Sequence, residues 1–412
     1  MDSPDIIIVG AGVIGTSAAR ELQARGLNCL LLDADEPGHG TSFGNAGIIA
    51  TEQVEPLALP GSWRQVPNLL LDRGPASLVW RDIATVLPWS LAFLKACRRE
   101  TFEPNNKAFH ALTAPVGADW RALGEAVPAV GAFTQFVGHD EVFESAQARS
   151  LAQPALLAQR ADGVRWRDLD GEELADIRTR TPAVVAGVRY LDSGHVRSPV
   201  GIVQALLQDF TRRGGRQMRA RIDRIEPRNG GFDLHTRSAV LHSARVLVSA
   251  GSRGARLLAP LGLRAPLIAE RGYHFSFNRH LPGLQRAVLL RERSVVMTPM
   301  QFGFRSTSFV EFAAPGSAPN PAKWRRLQRH LQEAGVWTRE DAPDAWMGER
   351  PTLPDYLPGL GASGRHPGLF YALGHQHLGL TLSATTARLM ADFIASDKRA
   401  SFLDAFDLGR FG

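Results

Sequence analysis

The sequence predicts a mixed α/β protein: a doubly wound, Rossmann-like nucleotide-binding domain carrying an inserted, mostly antiparallel sheet domain. Two observations support this. A strand, a glycine-rich turn, a helix and a second strand follow one another within residues 5–33, which is a βαβ unit of a parallel sheet. Residues 272–313 carry alternating polar and apolar runs, the period of half-buried antiparallel strands. A chain of 412 residues leaves room for two or three domains at about 150 residues each. Its 44% apolar and 21% charged residues exclude global disorder.

Residues 5–10, Asp-Ile-Ile-Ile-Val-Gly, read as a strand buried on both faces. Residues 16–25 read as a helix with Ala18, Ala19 and Leu22 on one side, stopped by Gly26. Residues 28–33 form the second buried strand. Over 56–110, Pro56, Pro60, Pro67, Pro75, Pro88 and Pro104 punctuate helical patches rich in Trp and Leu, an insertion lying over the core. An amphipathic helix is expected at 196–213, then alternating residues to a buried strand at 245–251. Residues 273–277 and 304–312 read as neighbouring antiparallel strands. A loop at 315–321 and a basic helix at 324–334 follow. From Trp346 the chain reads as loop-rich, with a strand at 369–373 and a last helix at 383–394. The predicted division is 1–55, 140–265 and 345–412 for the nucleotide-binding unit, and 56–139 with 266–344 for the substrate-binding unit.

Two cysteines, Cys29 and Cys97, exclude a disulfide scaffold or a multi-cysteine metal framework. The N-terminus lacks the basic region and cleavage site of a signal peptide. Residues 369–387 are free of Asp, Glu, Lys and Arg, but His375, Gln376, His377 and several Thr argue against a membrane span. A reducing cytoplasm is the expected location. The net charge of +6 suits an anionic ligand or surface. Arg is spread along the whole chain, so compositional bias explains most of the charge and a nucleic-acid role is the weakest reading.

Gly10-Ala-Gly-Val-Ile-Gly15 follows the first strand and opens the first helix. Gly10 permits the tight turn, Gly12 lets backbone approach a pyrophosphate, and Gly15 lets helix pack on strand. Val13 and Ile14 complete the turn ahead of the helix, whose free N–H groups and dipole favour phosphate. Asp33, followed by Ala34, ends the second strand, where an acid can accept ribose hydroxyls. This fingerprint does not separate NAD from FAD.

Gly40-Thr-Ser-Phe-Gly-Asn-Ala-Gly47 resembles the flavin-contacting loop of the D-amino-acid oxidase superfamily of FAD oxidoreductases, especially its bacterial D-amino-acid dehydrogenase branch. The resemblance implies that Thr41 and Ser42 reach the pyrophosphate. It also implies that Asn45, Ala46 and Gly47 lie against the isoalloxazine. An Asx turn is the bland alternative for the last three. Arg221-Ile-Asp-Arg-Ile-Glu226 resembles the strand whose Ile222 backbone meets the adenine, and Val248-Ser-Ala-Gly-Ser252, with Ala250 and Gly251, the turn that closes the adenine side. Gly348-Glu-Arg-Pro-Thr-Leu-Pro-Asp355 and Gly374-His-Gln-His-Leu-Gly-Leu-Thr381 resemble the C-terminal signature. There, Gly374, His377, Leu378, Gly379, Leu380 and Thr381 would stabilise charge on the reduced flavin. Neither cysteine falls in a recognisable attachment site, so FAD is expected to bind noncovalently.

By the same resemblance, Arg350 clamps the substrate carboxylate, as a guanidinium fork suits, and Tyr273 assists. A surface ion pair with Asp355 or Glu349 is the alternative for Arg350. His377 stands where glycine oxidase carries a second Arg, which argues against the glycine-oxidase substrate set. His375 with His377 makes a His-x-His pair, but no further ligands accompany it, so no metal is expected. Local wording such as Ala269-Glu-Arg-Gly-Tyr-His274 and Val310-Glu-Phe312 is most similar to D-hydroxyproline dehydrogenases. This implies oxidation of cis-4-hydroxy-D-proline to a pyrroline carboxylate, by hydride transfer from Cα to flavin N5. His274 or Glu311 is the expected reader of the ring hydroxyl.

The branch also implies a quinone or respiratory-chain electron acceptor. The Trp- and Leu-bearing segment 78–97, followed by Arg98 and Arg99, suits either interdomain packing or peripheral contact with an anionic membrane. A general D-amino-acid dehydrogenase, a sarcosine-type secondary-amine oxidase and a non-catalytic flavin-fold subunit are the alternatives.

Overall fold

A computed structural model describes residues 3–62 and 76–412; the expected turns at Pro67 and Pro75 lie outside them. The first βαβ unit is present as strand Ile6–Val9, helix Val13–Ala24 and strand Cys29–Asp33. These strands belong to a six-stranded sheet ordered Arg216–Arg219, Cys29–Asp33, Ile6–Val9, Arg245–Val248, Leu369–Leu373, Gly359–Ala362. All neighbours are parallel except the last pair. Ile6 and Ile8 enter one core cluster and Ile7 and Val9 the other. Burial on both faces explains why this strand is apolar without alternation. Helices Pro199–Arg212 and Ser383–Ser396 pack on Val13–Ala24.

The second large sheet has nine strands. Its edge strand Asp344–Thr352 pairs with Ile268–Phe277, which pairs in turn with Gly303–Ala313, all antiparallel. Val295–Met300, Ala287–Leu290, His139–Phe143, Ala186–Tyr190 and Trp166–Asp168 continue it, with Ala76–Leu78 beside Gly303–Ala313. The expected pairing of 273–277 with 304–312 is therefore present.

Two expectations need correction. Trp346 and Arg350 do not sit in a loop; both lie on Asp344–Thr352. Gly348 and Pro351 hide the strand in the sequence, yet both are tolerated because the strand is an edge with one partner. The domain boundaries also move. Strands between 139 and 190 belong to the substrate-side sheet, not to the nucleotide-binding unit. Conversely, Phe109, Leu112, Trp120 and Val130 join the core formed by helix Val13–Ala24. Burial of their apolar faces, rather than sequence adjacency, assigns those helices to the nucleotide-binding side. No helix among the described residues is long and apolar enough to cross a membrane.

Candidate active site

A cavity of about 830 Å³ runs from the start of helix Val13–Ala24, between the two large sheets, to the turn after strand Leu369–Leu373. At one end, a Cβ on Gly10 would lie 2.5 Å from the Ser249 carbonyl oxygen, and one on Gly15 only 1.8 Å from the Gly10 carbonyl oxygen. Both glycines are required by the turn itself. Gly12, by contrast, would meet only Ser42 Oγ at 3.3 Å and faces the cavity. Ser42 Oγ accepts from Val13 N at 3.0 Å. Asp33 lines the cavity and braces the turn by accepting from Ala11 N at 2.6 Å. Ala34, Arg221, Ile222, Ala250 and Gly251 continue the lining. This cradle of small residues at the positive end of a helix fits a dinucleotide pyrophosphate.

The loop expected to carry the flavin is held from behind. Arg305, 4% exposed, donates to the carbonyls of Phe43 and Asn45 at 2.9 and 2.8 Å. Burial pushes its pKa down to about 10, so it stays cationic at neutral pH. Asn45 Oδ1 accepts from Gly47 N at 2.8 Å, so the Asx-type turn is real. Thr41 Oγ1 ties the loop to the Glu349 carbonyl at 2.8 Å. Trp346 packs over Gly44, where a Cβ would lie 2.0 Å from its ring.

Alternation then builds the substrate-side wall. Glu270, Gly272 and His274 share one face of their strand, and Trp346, Gly348 and Arg350 share the facing positions of the edge strand. They pair as Glu270 with Arg350, Gly272 with Gly348, and His274 with Trp346. A Cβ on Gly272 would lie 2.1 Å from Arg350 Nη2, so only glycine lets the guanidinium lie across the strand. Arg350 Nη1 is 3.5 Å from Glu270 Oε1, while Thr352 Oγ1 donates to Glu270 Oε2 at 2.9 Å. Glu270 is fully buried, Arg350 is half-buried, and Arg350 keeps most of its donors for a ligand.

His377 also lines the cavity, and its Nε2 lies 3.0 Å from Gln53 Oε1. Burial lowers its pKa, opposed by Glu270 and assisted by Arg350, so the ring is neutral near pH 7. His274 is neutral too: burial, with Arg305 second, takes its pKa to about 3. Its Nδ1 lies 3.1 Å from the Gly44 carbonyl and its ring stacks on Trp346. Gly374, Leu378, Gly379, Leu380 and Thr381 complete this end.

Other expected site residues have different work. Tyr273 Oη donates to Glu311 Oε2 at 2.6 Å and accepts from Asn320 N at 3.0 Å. Glu311 also pairs with Arg271 and does not line the cavity. Alternation explains it: Arg271 and Tyr273 point to the sheet face opposite Glu270 and His274. Tyr273 still borders the cavity, with its hydroxyl engaged by Glu311 and Asn320, whereas Glu311 does not, and the assignment of Glu311 to a ring hydroxyl is corrected accordingly. Gly15 and Gly47 serve packing rather than lining; a Cβ on Gly47 would lie 2.7 Å from the Val196 carbonyl oxygen. His375 Nε2 lies 3.1 Å from Thr386 Oγ1, so it is structural. No group of residues that could hold a metal is found among the described residues. Glu270, Gly272, Arg305 and Trp346 escaped the sequence reading. The alternation Glu270-x-Gly272-x-His274 was the available signal.

Comparisons with known proteins agree with this geometry. Residues 5–393 match the model of the family DAO, FAD dependent oxidoreductase. The D-amino-acid oxidase of Bradyrhizobium diazoefficiens is 29% identical over 98% of either chain. The D-amino acid dehydrogenase 2 of Ralstonia nicotianae is 28% identical over 95% of this chain and 96% of its own. The glycine oxidase structure from Geobacillus kaustophilus superposes with a TM-score of 0.76 over 99% of both chains, at 20% identity, and so shares the fold. The chain belongs to the DAO family of FAD dependent oxidoreductases, and FAD is its cofactor.

Proposed function

We propose that this protein oxidises a D-imino or D-amino acid, with cis-4-hydroxy-D-proline as the first candidate and a pyrroline carboxylate as product. The observation that carries the reading is Arg350, braced by buried Glu270 and laid over Gly272 at the cavity wall. A guanidinium with spare donors suits an α-carboxylate in two parallel charge-assisted bonds. The relatives named D-amino-acid oxidase and D-amino acid dehydrogenase support the substrate class and the D configuration.

FAD, when bound, supplies the acceptor for the hydride that leaves Cα. The turn at Gly10–Gly15, Ser42 and Ile222 would hold its nucleotide noncovalently; Cys29 and Cys97 lie in core clusters instead. Arg350 fixes the carboxylate, while the neutral His377 ring directs its single N–H to Gln53 Oε1 and leaves its other nitrogen as an acceptor on the cavity wall. The substrate nitrogen reacts as the neutral amine, so no side chain need act as general base. Positioning and exclusion of water by the cavity walls supply the rate. N–H groups of the 376–381 turn would stabilise charge gathered by the cofactor.

A quinone acceptor at a membrane is favoured by one surface feature. Val86, Trp89 and Ala96 of helix Ile83–Ala96 pack inward, yet Trp80, Ile83, Leu87 and Leu91 are exposed on the other side. Leu57, also exposed, lies in the cavity lining. Exposed Lys95, Arg98 and Arg99 follow the helix face. An apolar stripe edged by cations suits the cytoplasmic face of an anionic membrane. Leu87→Ser with Leu91→Ser should abolish sedimentation with phosphatidylglycerol vesicles and leave turnover with a soluble quinone unchanged.

The reaction is tested by identifying products. Incubation with cis-4-hydroxy-D-proline and a soluble quinone should yield the pyrroline carboxylate by mass spectrometry, without stoichiometric peroxide. Turnover of sarcosine with vigorous peroxide release would favour a secondary-amine oxidase instead.

A further inference from the structure

The cavity extends beyond Arg350 and His377. Glu52, His139, Leu289, Val296 and Thr307 line it as well. Glu52 directly precedes Gln53, the residue that holds His377. One Glu52 carboxylate oxygen lies 3.0 Å from His139 Nδ1, and the other accepts from Ser193 Oγ at 2.5 Å. Glu52 retains 13% of its side-chain surface accessible, so a ligand in the cavity can reach it. His139 is 5% exposed, and its Nε2 has no hydrogen-bond partner among the described residues. Leu289 and Val296 supply an apolar wall beside this polar pair.

Burial opposes ionisation of Glu52, but His139 and Ser193 outweigh it and hold the carboxyl below its usual pKa. Burial likewise disfavours the His139 imidazolium, and Glu52 outweighs that. Glu52 is therefore a carboxylate at neutral pH, and its charge favours the imidazolium form of His139. A buried ion pair contributes little net stability against an apolar alternative. The same low dielectric strengthens any hydrogen bond that a ligand makes to it.

We propose that Glu52, held by His139 and Ser193, is a side-chain subsite that selects amino or imino acids bearing a hydroxyl group. A hydroxyl matches the accessible partner: its O–H donates to the Glu52 carboxylate, which the enclosed His139 and Ser193 hold in place. An alkyl side chain offers the carboxylate no donor, and an acidic one meets the Glu52 charge. The assignment rests on the D-imino-acid reading above, and it replaces Glu311 as reader of the ring hydroxyl.

The test compares anaerobic flavin reduction by cis-4-hydroxy-D-proline against D-proline, and by D-serine against D-alanine. Wild-type protein should favour the hydroxylated member of each pair. Glu52→Gln and His139→Gln should weaken hydroxylated-substrate binding by about 10- to 100-fold, read as Kd from the substrate dependence of bleaching. D-Proline and D-alanine should keep their Kd. Ser193→Ala leaves the ion pair in place and should shift the same ratio less, which covers a charge variant that fails to take up FAD. Unchanged ratios in all folded variants overturn the subsite. A wild-type flavin that no D-substrate bleaches overturns the D-imino-acid reading, and the subsite with it.

Discussion

Among the described residues Arg350 has one weak partner, Glu270 at 3.5 Å, and it faces a cavity that also holds His377. Arg350→Ala should therefore lower kcat/KM by about 100-fold or more, mostly through KM, while FAD content holds. Arg350→Lys keeps the charge but not the fork and should fall between. Tyr273 makes the opposite prediction. Its hydroxyl serves Glu311 and Asn320, so Tyr273→Phe should cost about 1–2 kcal/mol of stability and leave substrate Kd unchanged. Steady-state kinetics and urea denaturation on the two variants separate the roles. Legibility at this scale followed physical type. The placing of Gly10, Gly12, Ser42 and Arg350 on the cavity was readable because each stands in a fixed local frame of sequence. Glu311 was misplaced because the face of a strand depends on its register, which no local residue specifies.

The wall is an element-scale device, made by two paired strands whose glycines admit the large side chains of the partner strand. Gly272→Ala would place a Cβ 2.1 Å from Arg350 Nη2 and should raise KM much as Arg350→Ala does. In Gly44→Ala the clash is with Trp346, 2.0 Å away, on the loop that Arg305 holds. That variant should lose FAD on gel filtration, seen in the absorbance spectrum. The βαβ start was legible because a buried parallel strand is uninterrupted and a glycine turn follows it. Strand Asp344–Thr352 was not, because an edge strand tolerates Gly348 and Pro351 and exposes one side. Pairing with a strand far earlier in sequence, Thr352 with Ile268 at one end and Asp344 with Ser276 at the other, is a tertiary fact.

At the scale of the whole molecule, three buried histidines are held neutral: His195 with a pKa near 4, His274 near 3 and His375 near 3. Burial is the leading cause for each. Below about pH 6.5 the unfolded chain binds protons that these sites refuse, so acidification favours unfolding. The loss is roughly 1.4 kcal/mol per pH unit per group between pH 6.5 and the folded values. His139, raised by Glu52 against burial, has the opposite sign: its contribution is present at low pH and is lost as pH rises through its folded value. His330 and His377, also lowered by burial, share the sign of these three, so with five sites against one the urea midpoint should fall between pH 7 and pH 5, and His375→Gln should reduce the slope. A flat profile would contradict the burial argument.

The central claim is that the two sheets enclose FAD and present a D-imino or D-amino acid to it through Arg350. Anaerobic mixing of the flavoprotein with both enantiomers of proline, cis-4-hydroxyproline and alanine, and with sarcosine, tests it most directly. The account predicts rapid bleaching of the flavin by D-substrates, fastest with the cyclic imino acids, and none by their L-enantiomers. A flavin bleached by L-enantiomers alone, or by nothing in the set, would contradict it.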